Sequence, residues 1–149
     1  MYFRFDFLLI TDYLYSNPQP KEVFMASVKL YDKPADEKAM QIQQELKKHF
    51  GKLPNVFKAM GRSGDFLEAA LKLSDSAGKG LDPKTRELIM IAVSAVNGCT
   101  YCLDAHRSAA LKIGVTDEDI TAALETASAI SFFNTFNKAI NLDSDLKSK

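Results

Sequence analysis

Residues 86–106 read RELIMIAVSAVNGCTYCLDAH, and the fold turns on how this stretch is read. Upstream of it, Asp82-Pro83 is a strong helix start. An aspartate caps the free amides, and proline at the first helical position has no amide to leave unsatisfied. The helix predicted from Pro83 runs through LIMIAVSAV to Asn97-Gly98. It is apolar nearly all round after Glu87, which predicts a central, buried helix. Gly98 permits the left-handed turn that stops it. A second helix is predicted from Cys99 or Thr100 to about Ile113, ending at Gly114, antiparallel to the first. A strand through 88–96 is incompatible with this reading.

Working outward, Thr116 and Asp119 resemble a capping box with Asp in place of the usual Glu. Ile120, Ala123, Leu124 and Ala127 follow at helical spacing, then Ile130, Phe133, Phe136 and Ile140 within SAISFFNTFNKAI. The tail NLDSDLKSK is polar. Toward the N-terminus, residues 36–49 read as a helix with Ala39, Ile42, Leu46 and Phe50 on one side and Asp36 as its cap. His49 stands at its end, where the helix dipole favours a basic residue, and that placement is preferred over a catalytic role. Gly51 breaks this helix. Pro54 opens a short one with Val56, Phe57 and Met60. Residues 65–77 form another, with Leu67, Ala70, Leu71 and Ser74 as a stripe widened by Phe66 and Leu73. No segment shows sustained strand alternation. The expected fold is all-α, a compact bundle of six to seven helices.

At 149 residues and 46% apolar composition the chain suits one folded domain. Nineteen basic and nineteen acidic residues balance, which argues against a dedicated nucleic-acid binder. No apolar run reaches the ~18 residues of a membrane span. Two cysteines do not make a secreted disulfide scaffold, and their spacing suggests a redox pair in a reducing compartment such as the cytoplasm. Residues 1–24 are rich in aromatics. They are either an over-extended reading frame ahead of a start at Met25 or an arm that packs on a partner subunit. Residues 25–149 are the expected helical domain.

The candidate site is Cys99, Cys102, His106 and Glu87. At the first turn of a helix, C-x-x-C puts both thiols on one face, where unpaired amides favour a thiolate. Two other uses of the pair remain open: small apolar filler, or half of a zinc site whose other ligands would have to include His106 and His49. His106 follows Cys102 by four residues and shares its face, in reach to exchange protons with a thiol; a core histidine with a satisfied ring is the bland alternative. Glu87 among apolar neighbours is costly unless paired, or it points outward with Lys84 and Arg86. Tyr101, between the cysteines, either lines the mouth of a pocket or covers the core.

The pattern E-(x)11-C-x-x-C-x3-H, followed by ALKIGVTDEDI, resembles the alkylhydroperoxidase D-like family within the carboxymuconolactone decarboxylase superfamily. The likeness is strongest over residues 85–124 and extends over about 64–140. The resemblance implies an all-helical bundle assembled into trimers or hexamers, and a peroxide-reducing enzyme needing no cofactor or metal. It implies that Cys102 attacks peroxide, that Cys99 resolves it as a disulfide, and that Glu87 and His106 relay protons. Cys102 lies one turn deeper in the helix and nearer His106, while Cys99 at the helix mouth is better placed to meet a dithiol or protein reductant. The best-known members carry a histidine where this chain has Tyr101, which bears on the choice of reductant. Two other functions are weighed. One is a lactone decarboxylase using His106 as acid–base group, although that branch generally lacks the cysteine pair. The other is a zinc-stabilised helical adaptor without catalysis. An aromatic SFFNTF segment beyond what one bundle needs adds to the expectation of a homo-oligomer.

Overall fold

A computed structural model describes residues 26–146, and the two readings of residues 1–24 lie outside the described residues. Among the described residues there are six helices and no strand: α1 (Glu37–Phe50), α2 (Asn55–Met60), α3 (Gly64–Ser76), α4 (Pro83–Val96), α5 (Thr100–Lys112) and α6 (Asp117–Ala139). The all-α expectation holds, with the two C-terminal apolar stretches fused into one helix of 23 residues. The chain divides into two compact units at Leu73–Ser74.

In the first unit, Asp36 caps α1 by accepting from the Ala39 amide at 2.9 Å, and its other oxygen accepts from the Gly64 amide at 3.1 Å. One carboxylate therefore fixes the starts of both α1 and α3. Gly64 is required there, because a Cβ would stand 2.6 Å from the Lys38 Cβ and 2.7 Å from the Ala39 nitrogen. Ala39 and Leu67 are fully buried. The apolar stripe proposed for α1 omits its second buried residue, Gln43, whose amide donates to the Phe57 carbonyl at 3.0 Å. A buried polar side chain of this kind is tolerated because it is satisfied. Phe50, Phe66 and Leu73, assigned to apolar faces from their spacing, are exposed.

The second unit is built on the α4–α5 hairpin. Asp82 accepts from the Lys84 and Thr85 amides, and Pro83 begins α4. The helix ends where Gly98 turns left-handed at φ 69°. The Gly98 amide bonds back to the Ala95 carbonyl at 3.1 Å and the Cys99 amide to the Ser94 carbonyl at 2.9 Å. This pairing satisfies two of the last carbonyls of α4 and ends it within one residue. The same closure recurs after α5 at Gly114, followed by the buried Val115. The hairpin is antiparallel: Lys84 at the start of α4 donates to the Gly114 carbonyl at 2.8 Å, past the far end of α5. Thr116 and Asp119 close the expected capping box on α6.

The core of this unit is Ile91, Ala110, Val115 and Ile120, flanked by Leu88, Leu103 and Leu124. Helix α4 packs against both α5 and α6. It is central, as its composition suggests, but it is not buried all round. Ile89, Val93 and Val96 are about half exposed, at 47%, 54% and 58%. Phe132, Phe133 and Phe136 of α6 are exposed as well. No helix among the described residues is long and apolar enough to cross a membrane.

Candidate functional site

The turn that closes α4 also opens α5, and Cys99 serves both helices. Its amide completes the end of α4, while its sulfur accepts from the Cys102 amide at 3.4 Å as the cap of α5. The two cysteines are unbonded, with their sulfurs 2.7 Å apart. Both are partly buried. Hydrogen bonding from the Cys102 thiol, and then from the Cys102 amide, pulls the Cys99 thiol below its ordinary range. The Cys102 thiol is pushed up by the same contact with Cys99, by burial and by the nearby charge.

Glu87 and His106 come from opposite helices of the hairpin, α4 and α5. The Glu87 carboxylate and the His106 Nδ1 lie 2.9 Å apart, with side-chain exposures of 18% and 32%. Glu87 therefore turns inward to the histidine and not outward with its basic neighbours. Lys84 is engaged with Gly114, and the Arg86 guanidinium donates to the Ser74 carbonyl. A carboxylate on Nδ1 fixes that nitrogen as the protonated one in the neutral ring and leaves Nε2 to exchange protons. His106 lies one turn beyond Cys102 on α5, so the sulfur pair and the carboxylate–imidazole pair share one hairpin. Tyr101 lies between the two cysteines and is about half exposed. Arg107 pairs with Asp117 at 2.7 Å on the surface. His49 ends α1, its ring edge-on to Phe50 at 4.7 Å. Among the described residues no three His, Cys, Asp or Glu side chains gather as a metal site.

The family model for the carboxymuconolactone decarboxylase family matches residues 64–144. The chain belongs to that family. Within the carboxymuconolactone decarboxylase family it is AhpD-like. Its relatives include the alkyl hydroperoxide reductase AhpD of Koribacter versatilis, 39% identical over 72 residues, which cover 48% of this chain and 37% of that protein. The AhpD of Brucella canis is 42% identical over 64 residues, covering 43% and 37%. The chain thus spans little more than a third of the length of these curated relatives. The crystal structure of the alkylhydroperoxidase AhpD core from Rhodospirillum rubrum superposes with a TM-score of 0.69 at 25% identity, covering 81% of this chain and 95% of that one.

Two features of this family member escape the sequence reading. One is the double use of Cys99, which would be visible only by recognising that the helix-ending turn and the next helix cap share a residue. The other is a groove of about 560 Å³ between α4 and α6, lined by Leu88, Ile89, Ala92, Ala123, Ala127 and Ile130 among others. None of the cysteines, His106 or Glu87 lines it. Its residues are legible as apolar, but which of them stay uncovered depends on the packing of three helices.

Proposed function

We propose that this protein is an alkyl hydroperoxide reductase-type thiol oxidoreductase, with Cys99 and Cys102 as the dithiol that peroxide oxidises to a disulfide. The observation that carries this reading is the contact of the two sulfurs at 2.7 Å beside the Glu87–His106 pair at 2.9 Å on the same hairpin. Attack of a thiolate on a peroxide oxygen leaves a sulfenic acid and an alcohol, and the neighbouring thiol condenses with the sulfenic acid to a disulfide and water. His106, held by Glu87, moves protons to and from the sulfur pair. The likeness to AhpD proteins supports the same class of reaction.

A dithiol or a protein thiol returns the disulfide to its reduced state, and the protein works in a reducing compartment such as the cytoplasm. It acts as a homotrimer or homohexamer. Support for assembly comes from the exposed apolar surface of Ile89, Val93 and Val96 on α4 and Phe133 and Phe136 on α6. Turnover of organic hydroperoxide with a panel of dithiol donors, dihydrolipoamide among them, tests the enzymatic reading. Sustained turnover that requires both cysteines supports it. Lactone decarboxylation that survives Cys102→Ser would replace it with the decarboxylase reading.

A further inference from the structure

We propose that the tip formed by the end of α1 and the turn after it, Lys47 to Lys52, is a docking surface for an anionic lipid bilayer, with Phe50 entering the headgroup layer between the lysines. This goes beyond the peroxide-reducing function and does not depend on it.

The whole chain is neutral, with nineteen basic residues against nineteen acidic, but the charge is unevenly spread along it. From Leu46 to Gly64 there is no aspartate or glutamate, while Lys47, Lys48, Lys52, Lys58 and Arg62 fall in that stretch. Lys58 is taken up by Asp32 at 2.7 Å. Lys47, Lys48, Lys52 and Arg62 form no ion pair among the described residues. Residues 47–52 are exposed without a break. One helical turn and the two residues after it span at most about 12 Å of backbone. That is close to the Debye length of about 10 Å at ~0.1 M salt, so the three lysines act as one positive field.

The helix dipole favours cations in the last turn of α1, where Lys47, Lys48 and His49 stand. It does not account for Lys52, which lies beyond the Gly51 turn, or for an exposed phenylalanine among the lysines. Phe50 is 51% exposed. Its ring stacks on Phe57 of α2 at 5.9 Å and meets the edge of His49 at 4.7 Å, and the rest faces solvent. Helix α2 repeats the same chemistry: Val56 and Met60 line an apolar cleft of about 290 Å³ with Phe66, and Arg62 is among its walls.

The residue types favour lipid over an acidic protein. A lysine ammonium is a hydrated point charge on a flexible stem, whereas a guanidinium is the group that reads a carboxylate through two parallel hydrogen bonds. The tip holds three lysines and no arginine, which suits the diffuse negative potential of a headgroup layer. The aromatic ring supplies the apolar part of a shallow insertion. No helix among the described residues is long and apolar enough to cross a membrane, so the contact is with the bilayer surface. Each lysine brought to an anionic surface strengthens binding about fivefold, and three together about 100-fold. Burying the open half of Phe50 adds about three- to tenfold.

Sedimentation of the full chain with vesicles tests the proposal, comparing equimolar phosphatidylcholine and phosphatidylglycerol with phosphatidylcholine alone. Wild type is expected to bind the anionic vesicles and not the neutral ones, and to be released as salt approaches about 1 M, where the Debye length falls to ~3 Å. Lys47→Gln, Lys48→Gln and Lys52→Gln combined should weaken binding about 100-fold. Phe50→Ala should weaken it about three- to tenfold and leave the salt dependence unchanged. Circular dichroism checks that each variant keeps its helices. Equal binding to both kinds of vesicle, binding to neither, or undiminished binding by the folded triple variant overturns the proposal. Retention on polyglutamate with the anionic vesicles left unbound overturns it too, and gives the tip to an acidic protein.

Discussion

Replacing Glu87 should slow peroxide oxidation of the dithiol in graded steps, because its carboxylate is what holds the His106 ring. The contact is 2.9 Å and the carboxylate is mostly sheltered, so it is not screened away as a surface pair would be. A hydrogen bond involving a charged group contributes about 1.5–3 kcal/mol, and a neutral one about 0.5–1.5 kcal/mol. Glu87→Gln keeps an acceptor and loses the charge, so the difference of about 1 kcal/mol predicts a rate lower by roughly five- to tenfold. Glu87→Ala removes the partner altogether and predicts a fall of about 10- to 150-fold. His106→Gln removes the proposed proton carrier itself, and a loss of about 10²–10⁴-fold is expected. The assay is rapid-quench titration of free thiols after mixing pre-reduced protein with one equivalent of peroxide. It suits a chain with no tryptophan to report the change by fluorescence. A Glu87→Ala protein that folds and reacts within twofold of wild type, while His106→Gln is slow, would refute the coupling of the two side chains.

Other expectations follow from burial, ionisation and surface. Ile91→Ala empties a fully buried position at the centre of the second unit and should cost about 2–5 kcal/mol in urea unfolding. The ionisation of Cys99 is lowered, so alkylation of the pre-reduced protein should rise with pH through a value below that of a free cysteine. The same sign means that Cys99 adds stability as the pH rises through its lowered value, and that the raised ionisation of Cys102, which stems from the same contact, takes this gain back at higher pH. Thr116→Ala breaks the capping box of α6 and should cost about 1 kcal/mol in the same unfolding assay. Phe133→Asp with Phe136→Asp on the exposed face of α6 should dissociate the proposed oligomer. Light scattering that finds wild type monomeric at micromolar concentration would remove the assembly.

The helix plan was legible because its punctuation is local. Asp82-Pro83, Gly98, Thr116 with Asp119, and Asp36 each act within a few residues, and each does in the structure what its residue type dictates. The cysteine pair was legible for the same reason, being two residues one turn apart. Glu87 was not, since either orientation of its side chain fits the sequence and only the return of α5 brings His106 to it. The exposed side of α4 was also hidden. Ile89 and Val93 look like core because hydrophobicity records what a residue prefers, whereas coverage depends on how many helices surround it. Gln43 shows the converse: a polar residue becomes core when one carbonyl of a neighbouring turn, Phe57, stands ready to accept from it.

The central claim is that Cys99 and Cys102 together take two electrons to a peroxide. Mixing the fully reduced chain with increasing cumene hydroperoxide, then counting remaining thiols and mapping disulfides, tests it most directly. One peroxide consumed per chain, two thiols lost and a Cys99–Cys102 disulfide recovered is the result expected. Peroxide left unconsumed with both thiols still titratable would contradict it.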